Sequence, residues 1–338
     1  RLGLKPPVGM QPVLRFRNPD AGEVTFNDLV KGPITVANAE LDDLVIMRAD
    51  GIPTYNFGVV IDDADMNITH VVRGDDHVNN TPRQINMYRA LGANLPQFAH
   101  LPMILGADGE RLSKRHGAVS VMQYPEDGYL PEALNNYLAR LGWSHGDDEK
   151  FSLQQLIEWF DLAHVSRSAA RFDPEKLGWL NQQYLKEMDD QRLAGLMLPF
   201  LERDGCNAVA GPELHRVAAL LKERVSTIEE LADAAVYFYR RLEPSAELRE
   251  THYAAADKPA LSDFRRRLET VEWQRAAIGA ELKAVLAEFQ LKMPKIAMPL
   301  RVMVTGEPQS PSIDATLELI GRDEVLARMA QELALFPG

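Results

Sequence analysis

The chain has 338 residues and a formal net charge of −12, with 46% hydrophobic and 25% charged residues. This length allows two or three domains with their own cores, and the composition is that of an ordinary globular protein. The negative charge excludes a globally basic surface, so any contact with nucleic acid must come from local basic patches.

The single cysteine, Cys206, excludes an intramolecular disulfide and a cysteine-only zinc site, and it fits a reducing cytoplasm. No apolar run approaches the roughly 20 residues that cross a bilayer. The first residues, R-L-G-L-K-P-P-V, contain neither a signal peptide nor an initiator Met. We therefore expect a cytoplasmic protein without a membrane partner, and a chain that begins within a longer polypeptide.

The first third of the chain predicts an α/β unit. Short strands are expected at 13–17, 23–26, 29–36 and 44–47, followed by strands at 54–61, 68–72 and 100–105. A helix is expected from Thr81, as its cap, to Leu91, with Gly92 ending it. Polar residues bunch after the strand at 68–72, where open α/β sheets bind ligands. This arrangement is half of a nucleotide-binding α/β unit.

A basic loop follows the last of these strands. Arg111, Lys114, Arg115 and His116 surround Ser113, directly after the turn at 106–109. Cations and hydroxyls in such a loop can neutralise charge on a polyphosphate. A solvated basic loop is the alternative, because short motifs give many false positives.

From residue 120 onward the periodicity is helical. Amphipathic helices are expected at 131–141, 152–160, 173–184, 193–204, 212–223, 227–238, 260–270 and 273–289, with two short helices at the end. The second half of the chain is therefore predicted to be an all-α body.

Several motifs in order resemble bacterial glutamyl-tRNA synthetases, from end to end of the chain. They are P-T-Y-N-F at 53–57, T-H-V-V-R-G-D-D-H at 69–77, N-N-T-P-R-Q at 79–84, R-L-S-K-R-H-G-A at 111–118, D-G-Y-L-P-E-A-L-N-N-Y-L-A-R-L-G-W-S at 127–144 and K-L-G-W-L-N at 176–181. The resemblance implies a class I aminoacyl-tRNA synthetase, in which R-L-S-K-R takes the place of the KMSKS loop. Such an enzyme activates L-glutamate with ATP and Mg²⁺ and passes the glutamyl group to the terminal adenosine of tRNA(Glu).

The resemblance also implies an α/β plus all-α fold with four regions. Residues 1–52 would end the acceptor-binding insertion, and 53–117 would form the second half of a Rossmann-like catalytic domain. Residues 118–190 would form a helical stem-contact region, and 191–338 an all-α anticodon-binding domain. We expect a monomer with no zinc site in this chain.

The site residues are implied in the same way. Lys114 would contact the ATP phosphates with Ser113, which could instead only shape the turn. The full set expected to bind ATP is Arg111, Leu112, Ser113, Lys114, Arg115, Asp76 and His77.

Arg73 would hold the side-chain carboxylate of glutamate as a planar fork, with Tyr55 in the same pocket. The alternatives are a salt bridge from Arg73 to Asp75 or Asp76, and ordinary packing for Tyr55. Candidate tRNA contacts are the basic residues Arg265, Arg266, Arg267, Lys292, Lys295 and Arg301. Charged helix faces are usually just solvated, which is the alternative for each of them.

The family's HIGH tetrad does not occur in the 338 residues, so we expect it upstream of Arg1. We expect residues 1–338 alone not to aminoacylate tRNA, and charging at a normal rate would contradict this expectation. The rivals are a glutaminyl-type synthetase, which the helical second half disfavours, and a non-catalytic tRNA-binding module. A queuosine-glutamylating relative would be shorter, and a nucleotidylyltransferase would not need the long helical part.

Overall fold

The computed structural model describes residues 11–112, 120–254 and 256–336. These residues form two compact units. One contains residues 11–112 and 135–173, and the other contains 120–134 together with the described residues from 174 onward. Within the described part of the chain, no helix is long and apolar enough to span a membrane.

The first unit is built on a four-stranded sheet with the order β3-β2-β6-β5. β2 and β5 each run parallel to β6, whereas β3 is antiparallel to β2. A separate two-stranded ladder pairs β1 with β4, so β1 does not pair with β2. The strand bounds are β1 Leu14–Arg15, β2 Glu23–Asp28, β3 Gly32–Ala37, β4 Val45–Met47, β5 His70–Gly74 and β6 Gln97–Leu101.

The strand predicted at 54–61 is wrong, because this segment forms helix α1, Tyr55–Asp65. Its β-branched residues favour a strand locally, but Phe57, Val60 and Ala64 recur at helical spacing and pack into the core of the sheet. Tertiary packing of this apolar face decides the outcome.

Helix α2, Thr81–Leu91, confirms the predicted helix, and Gly92 ends it in the left-handed conformation at φ 66°. Its N-cap is Asn80, so Thr81 is the first helical residue and not the cap. The strand expected at 100–105 is divided into β6 and a short β7, Ile104–Leu105, which pairs with β8, Ala170–Arg171. The Thr81 side chain, which does not cap α2, contacts Arg73 and His100 in the site described below.

The segment between residues 120 and 173 contains short helices, and its part within the first unit contains an aromatic cluster. Trp143 is buried against Phe151 with ring centroids 5.8 Å apart, and Ser152 caps α5 with a reciprocal capping box to Gln155. The helix bounds are α3 Gln123–Glu126, α4 Pro131–Arg140 and α5 Leu153–Trp159.

The second unit is helical, as predicted, and the residues it buries form two hydrophobic clusters. One cluster is centred on Met197, Leu221 and Leu231, and the other on Phe264, Leu300 and Met329. The segment at 246–253 was not predicted to be helical but is. The helix bounds are α6 Pro174–Glu187, α7 Asp190–Arg203, α8 Leu214–Leu221, α9 Ile228–Tyr239, α10 Ala246–Tyr253, α11 Lys258–Leu268, α12 Arg275–Glu288, α13 Pro294–Thr305, α14 Ile313–Ile320 and α15 Arg322–Ala334.

The predicted boundaries at residues 52, 118 and 190 stay predictions. The first of them falls between strands of one sheet, since β2 and β3 precede residue 52 and share their sheet with β5 and β6.

Gly128, in the second unit, lies where a side chain would clash with the backbone of a neighbouring helix. Its φ is +80°, its carbonyl accepts the Ile228 N–H at 2.9 Å, and a Cβ would lie 2.5 Å from the Glu229 nitrogen. We expect Gly128→Ala to lower the free energy of unfolding by about 2–4 kcal/mol, because backbone strain and a backbone clash add.

Gly205→Ala is the matched control, since Gly205 has φ +74° but nothing within 4 Å of its Cβ position. It should cost only the strain of the left-handed conformation, about 1–2 kcal/mol. Urea denaturation of both variants measures the difference, and equal losses would contradict the clash.

Candidate active site

Three parallel strands end at the same edge of the sheet, and each contributes one side chain to a buried polar cluster. Asp28 ends β2, Arg73 lies near the end of β5, and His100 lies near the end of β6. Arg73 is directly opposite His100 in the β5–β6 register. This is the edge at which open α/β sheets place their ligands.

Arg73 is partly buried and is held by neutral groups. Its Nε donates to His100 Nε2 at 3.1 Å, and its Nη2 donates to Thr81 Oγ1 and Gln84 Oε1, each at 2.8 Å. The Gln84 amide nitrogen, Nε2, donates to Asn56 Oδ1 at 2.9 Å, which fixes the orientation of that amide. Three of the five guanidinium N–H groups are therefore taken by His100, Thr81 and Gln84, and the Tyr55 hydroxyl also interacts with this guanidinium.

The alternative of a salt bridge from Arg73 to a neighbouring aspartate is not what the structure shows. Asp75 pairs with Lys31 at 2.9 Å, and Asp76 lies 3.4 Å from Arg111. Of the carboxylates in the described ranges, none is paired with Arg73. Burial lowers the pKa of Arg73, and the nearby Tyr55 hydroxyl opposes that shift. A guanidinium stays charged in proteins, so this cation is available to an anionic ligand.

Asp28 and His100 are the members of the cluster that sequence reasoning missed. Both side chains are fully buried, and His100 Nδ1 lies 2.5 Å from Asp28 Oδ2. Asp28 Oδ1 also accepts the backbone N–H groups of Val30, Lys31 and His100. A histidine within the apolar strand Q-F-A-H-L was the available signal, because a buried polar group needs a partner.

The pKa values of this pair shift for different reasons. Burial alone would raise the pKa of Asp28, but hydrogen bonds from Lys31, His100 and Val30 together lower it. Burial lowers the pKa of His100 below 6.5, and the opposing attraction of Asp28 is smaller. His100 is therefore neutral and Asp28 ionised at neutral pH.

This depressed histidine pKa predicts a pH-dependent stability. As the pH falls below 6.5, the unfolded chain binds a proton before the folded chain does, so stability is lost until the folded pKa is reached. We expect a slope of up to about 1.4 kcal/mol per pH unit, the value for one proton. Urea denaturation from pH 7.5 to pH 5, followed by NMR signals of β6, measures it.

The exposed His70 provides the control for that experiment. His70→Gln should keep the slope, whereas His100→Gln should reduce it. A wild-type slope that survives in His100→Gln would show that another group is responsible.

Tyr55 begins α1 beside this cluster. The residue is 55% exposed, and its ring lies 5.7 Å from the ring of His77. The interpretation of Tyr55 as ordinary packing is therefore disfavoured, and its hydroxyl interacts with the Arg73 guanidinium.

The predicted ATP residues Asp76 and Arg111 come together in the structure. Arg111 follows a hairpin in which Leu112 N–H donates to Ile104 O at 2.9 Å, and Gly109 turns the chain at φ +82°. Its guanidinium reaches Asp76 at 3.4 Å, and the His77 ring is held by the Asn80 amide at 3.1 Å. Ser113, Lys114, Arg115 and His116 lie outside the described residues, so their phosphate role stays a prediction.

The arginine cluster predicted to bind tRNA is paired with carboxylates. This geometry favours the alternative of a solvated helix face. The ion pairs are Arg265 with Glu269, Arg266 with Asp263, and Arg267 with Asp263, Glu281 and Glu288. Lys292 and Lys295 are exposed near the start of α13.

Arg301 differs from that cluster, because none of the carboxylates in the described ranges is paired with it. Its Nε donates to Ser310 Oγ at 2.7 Å, and burial and the like charge of Arg224 lower its pKa. Arg224 is likewise without a carboxylate partner among these residues, and sequence reasoning missed it. Arg224 lines a pocket of about 300 Å³, together with Tyr237, Gln309, Ser310 and Pro311 and the acidic residues Asp233 and Glu307.

No group of three or more His, Cys, Asp or Glu side chains in the described ranges is arranged to hold a metal ion.

Comparisons with known proteins cover both units. Residues 7–179 match the family of tRNA synthetases class I (E and Q), catalytic domain, and residues 192–333 match the anticodon binding domain. The chain is 67% identical over 334 residues to a glutamate–tRNA ligase of Nitrosospira multiformis, covering 98% of this chain and 72% of that protein. It is 65% identical to that of Thiobacillus denitrificans, covering 97% of this chain and 70% of that protein.

A crystal structure of a glutamate tRNA ligase from Elizabethkingia meningosepticum in complex with its amino acid is similar in fold. Its TM-score is 0.86 at 29% identity, and the match covers 96% of this chain and 68% of that one. The family matches, the identity over nearly the whole chain and the shared fold agree with the motifs around Arg73 and Arg111. The chain belongs to the glutamate–tRNA ligase family of class I aminoacyl-tRNA synthetases.

Proposed function

We propose that this chain supplies the glutamate pocket, the phosphate-binding loop and the tRNA-binding part of a glutamate–tRNA ligase. The α-carboxylate of L-glutamate attacks the α-phosphorus of ATP, and the bond to pyrophosphate breaks, leaving glutamyl-adenylate. A hydroxyl of the terminal adenosine of tRNA(Glu) then attacks the carbonyl carbon, and AMP leaves. The observation that carries the proposal is the partly buried Arg73 guanidinium, which has no carboxylate partner within the described part of the chain.

Arg73 selects glutamate through its Nη1 group. Because His100, Thr81 and Gln84 occupy Nε and Nη2, Nη1 is the nitrogen that faces the ligand, with the Tyr55 hydroxyl next to the guanidinium. A carboxylate against Nη1 accepts from this nitrogen with its full negative charge, in place of the bidentate contact with two nitrogens that was expected from the sequence. The amide of glutamine would place its own N–H groups against these donors or offer only one oxygen, so it is disfavoured.

The ATP phosphates would lie against the loop that begins at Arg111. Lys114 is the charge proposed to oppose the negative charge that develops on the leaving pyrophosphate. Arg111 and Asp76 are the residues of this site that the structure describes. Asp76 is proposed to accept hydrogen bonds from the ribose hydroxyls. Mg²⁺ would accompany ATP through the phosphates and water, as it does in sites without a protein cage.

The tRNA would be held by the second unit around Arg224 and Arg301. Both guanidinium groups lack carboxylate partners in the described ranges, and the adjacent pocket combines Tyr237 with hydrogen-bonding side chains. Unstacked RNA bases bind in such pockets through stacking and hydrogen bonds to their edges. Five basic residues predicted to contact tRNA are proposed to contribute only peripheral positive charge: Arg265, Arg266, Arg267, Lys292 and Lys295. We also propose that the protein is a monomer in the cytoplasm.

Binding measurements separate this proposal from its rivals. Calorimetric titration of the chain with L-glutamate, L-glutamine and L-aspartate should show glutamate bound at least about tenfold more tightly than glutamine. Gel-shift titration should show tRNA(Glu) bound more tightly than a tRNA with another anticodon, with Arg224→Ala removing the difference. A non-catalytic module would bind tRNA without any amino acid, and a glutaminyl-type enzyme would prefer glutamine. Either result would overturn the proposal.

A further inference from the structure

We propose that Asp28 and His100 are positioning residues for glutamate recognition: Asp28 fixes the tautomer of His100, and His100 in turn fixes the orientation of Arg73. The inference rests on the proposed function, since it concerns the guanidinium that binds the glutamate carboxylate. Neither residue reaches the ligand. They act through Arg73 alone.

The hydrogen count at His100 allows one tautomer. Arg73 Nε always carries a hydrogen, and it points at His100 Nε2 from 3.1 Å, so Nε2 must be the acceptor. The Thr81 hydroxyl lies 3.2 Å from the same nitrogen and can donate to it as well. The ring proton is therefore on Nδ1, from which it is donated to Asp28 Oδ2 at 2.5 Å.

Asp28 is fixed by the backbone on its other oxygen. Oδ1 accepts the N–H groups of Val30 at 3.0 Å, Lys31 at 2.8 Å and His100 at 3.2 Å. The carboxylate therefore cannot rotate without losing three hydrogen bonds, and Oδ2 is the only atom that it presents to the ring. An acceptor at this position requires Nδ1–H.

The sheet aligns the three side chains in one row. β2, β6 and β5 are neighbours in that order, so Asp28, His100 and Arg73 follow one another across the carboxyl ends of the strands. The row removes the rotational freedom of the guanidinium, because Nε is fixed by His100 while Nη2 is fixed by Thr81 and Gln84. Nη1 is then directed to one place, which is the preorganisation that ligand selection needs.

Substituting Asn for Asp28 reverses the polarity of this row. The three backbone donors keep the amide oxygen in place of Oδ1, so the amide NH₂ group faces the ring. Nδ1 must then accept, and the proton moves to Nε2, where it opposes the Arg73 Nε–H. The substitution changes a single atom and leaves the volume of the core unchanged.

The first test uses the wild-type chain. Long-range ¹H–¹⁵N NMR of ¹⁵N-histidine-labelled protein should show His100 neutral, protonated on Nδ1 and not on Nε2 at pH 7. A proton on Nε2, or on both nitrogens, would overturn the proposal. This test needs no variant, so it decides the tautomer even if every variant fails to fold.

The second test compares Asp28→Asn with Asp43→Asn. Asp43 lies in the same unit and accepts the Asn18 N–H at 3.0 Å, so its substitution also removes one carboxylate charge that receives a backbone hydrogen bond. Asp28→Asn should move the His100 proton to Nε2 and weaken L-glutamate binding about tenfold or more, because a hydrogen bond to a charged group is lost. The tRNA affinity of Asp28→Asn should not change. Asp43→Asn should change neither the position of the His100 proton nor the affinity for L-glutamate.

The two proposals fail in different ways. If Arg73→Ala abolishes glutamate binding while Asp28→Asn leaves it within twofold of wild type, the positioning role is wrong and the proposed function stands. If Arg73→Ala leaves glutamate binding intact, the proposed function is wrong. In that case the His100 tautomer and the Arg73 Nε–H resonance of the wild-type chain still report whether Asp28 and His100 orient the guanidinium.

Discussion

Replacing Arg73 by alanine should strongly weaken the binding of L-glutamate. The substitution deletes the one cation of the buried cluster that has no carboxylate partner among the described residues. Truncating one member of a buried, hydrogen-bonded charge pair costs about 2–5 kcal/mol, which corresponds to a loss of roughly 30-fold or more in affinity. Calorimetric titration with glutamate measures the loss, and tRNA binding provides the internal standard.

Arg73→Lys separates geometry from charge. A lysine keeps the positive charge but offers one nitrogen in place of the fork that bonds His100, Thr81 and Gln84. We therefore expect Arg73→Lys to bind glutamate almost as weakly as Arg73→Ala.

The matched control is Arg89→Ala. Arg89 is exposed in the last turn of α2, and its loss also removes one arginine charge from the same unit. It should leave glutamate affinity unchanged. Normal affinity in Arg73→Ala, or an equal loss in Arg89→Ala, would contradict the assignment of Arg73 to the glutamate carboxylate.

Much of the fold follows from local patterns. α2 was predicted from Pro82 near its start and Gly92 at its end, and the helical second half from its apolar spacing. α1 was missed because Val59, Val60 and Ile61 favour a strand in isolation. What decides its structure is the packing of Phe57, Val60 and Ala64 into the sheet, which is a tertiary effect.

The site was predictable only in part. The motif around residue 73 identified Arg73, yet nothing local connects it to His100, 27 positions away, or connects His100 to Asp28, 72 positions away. Those contacts arise from strand order and register, which the sequence does not state. The same limit applies to Arg301. Its own segment was singled out, but Arg224 approaches it only through the packing of the helices.

Arg328 should be the most costly single arginine to remove from the second unit. It is 3% exposed, and its Nη1 donates to the carbonyls of Tyr237 at 2.9 Å and Val304 at 2.5 Å. These carbonyls lie in the last turns of α9 and α13, where helices have no donors of their own. Its Nε donates to Glu324 at 2.7 Å. One guanidinium thus donates hydrogen bonds to carbonyls at the ends of two helices and to a carboxylate.

We expect Arg328→Met to lower the free energy of unfolding by about 2–5 kcal/mol. The methionine fills most of the volume, so the loss reports mainly the two carbonyls left without donors, since the Glu324 side chain is half exposed and can bind water. Arg328→Lys should fall between wild type and Arg328→Met, since one ammonium group cannot reach all three acceptors in the arginine geometry. Urea denaturation followed by the circular dichroism of the helices measures each change.

Arg216→Met provides the comparison for the loss of an ion pair at the surface. Arg216 is half exposed and lies 3.8 Å from Glu318, a geometry in which ion pairs contribute little. It should change stability by less than about 0.5 kcal/mol. If Arg328→Met were as mild, the carbonyls of Tyr237 and Val304 would have to find water or other donors, and the helix ends would not depend on the guanidinium. A large loss in Arg328→Met beside a small one in Arg216→Met would show that the burial of the acceptors, rather than the charge, gives Arg328 its effect.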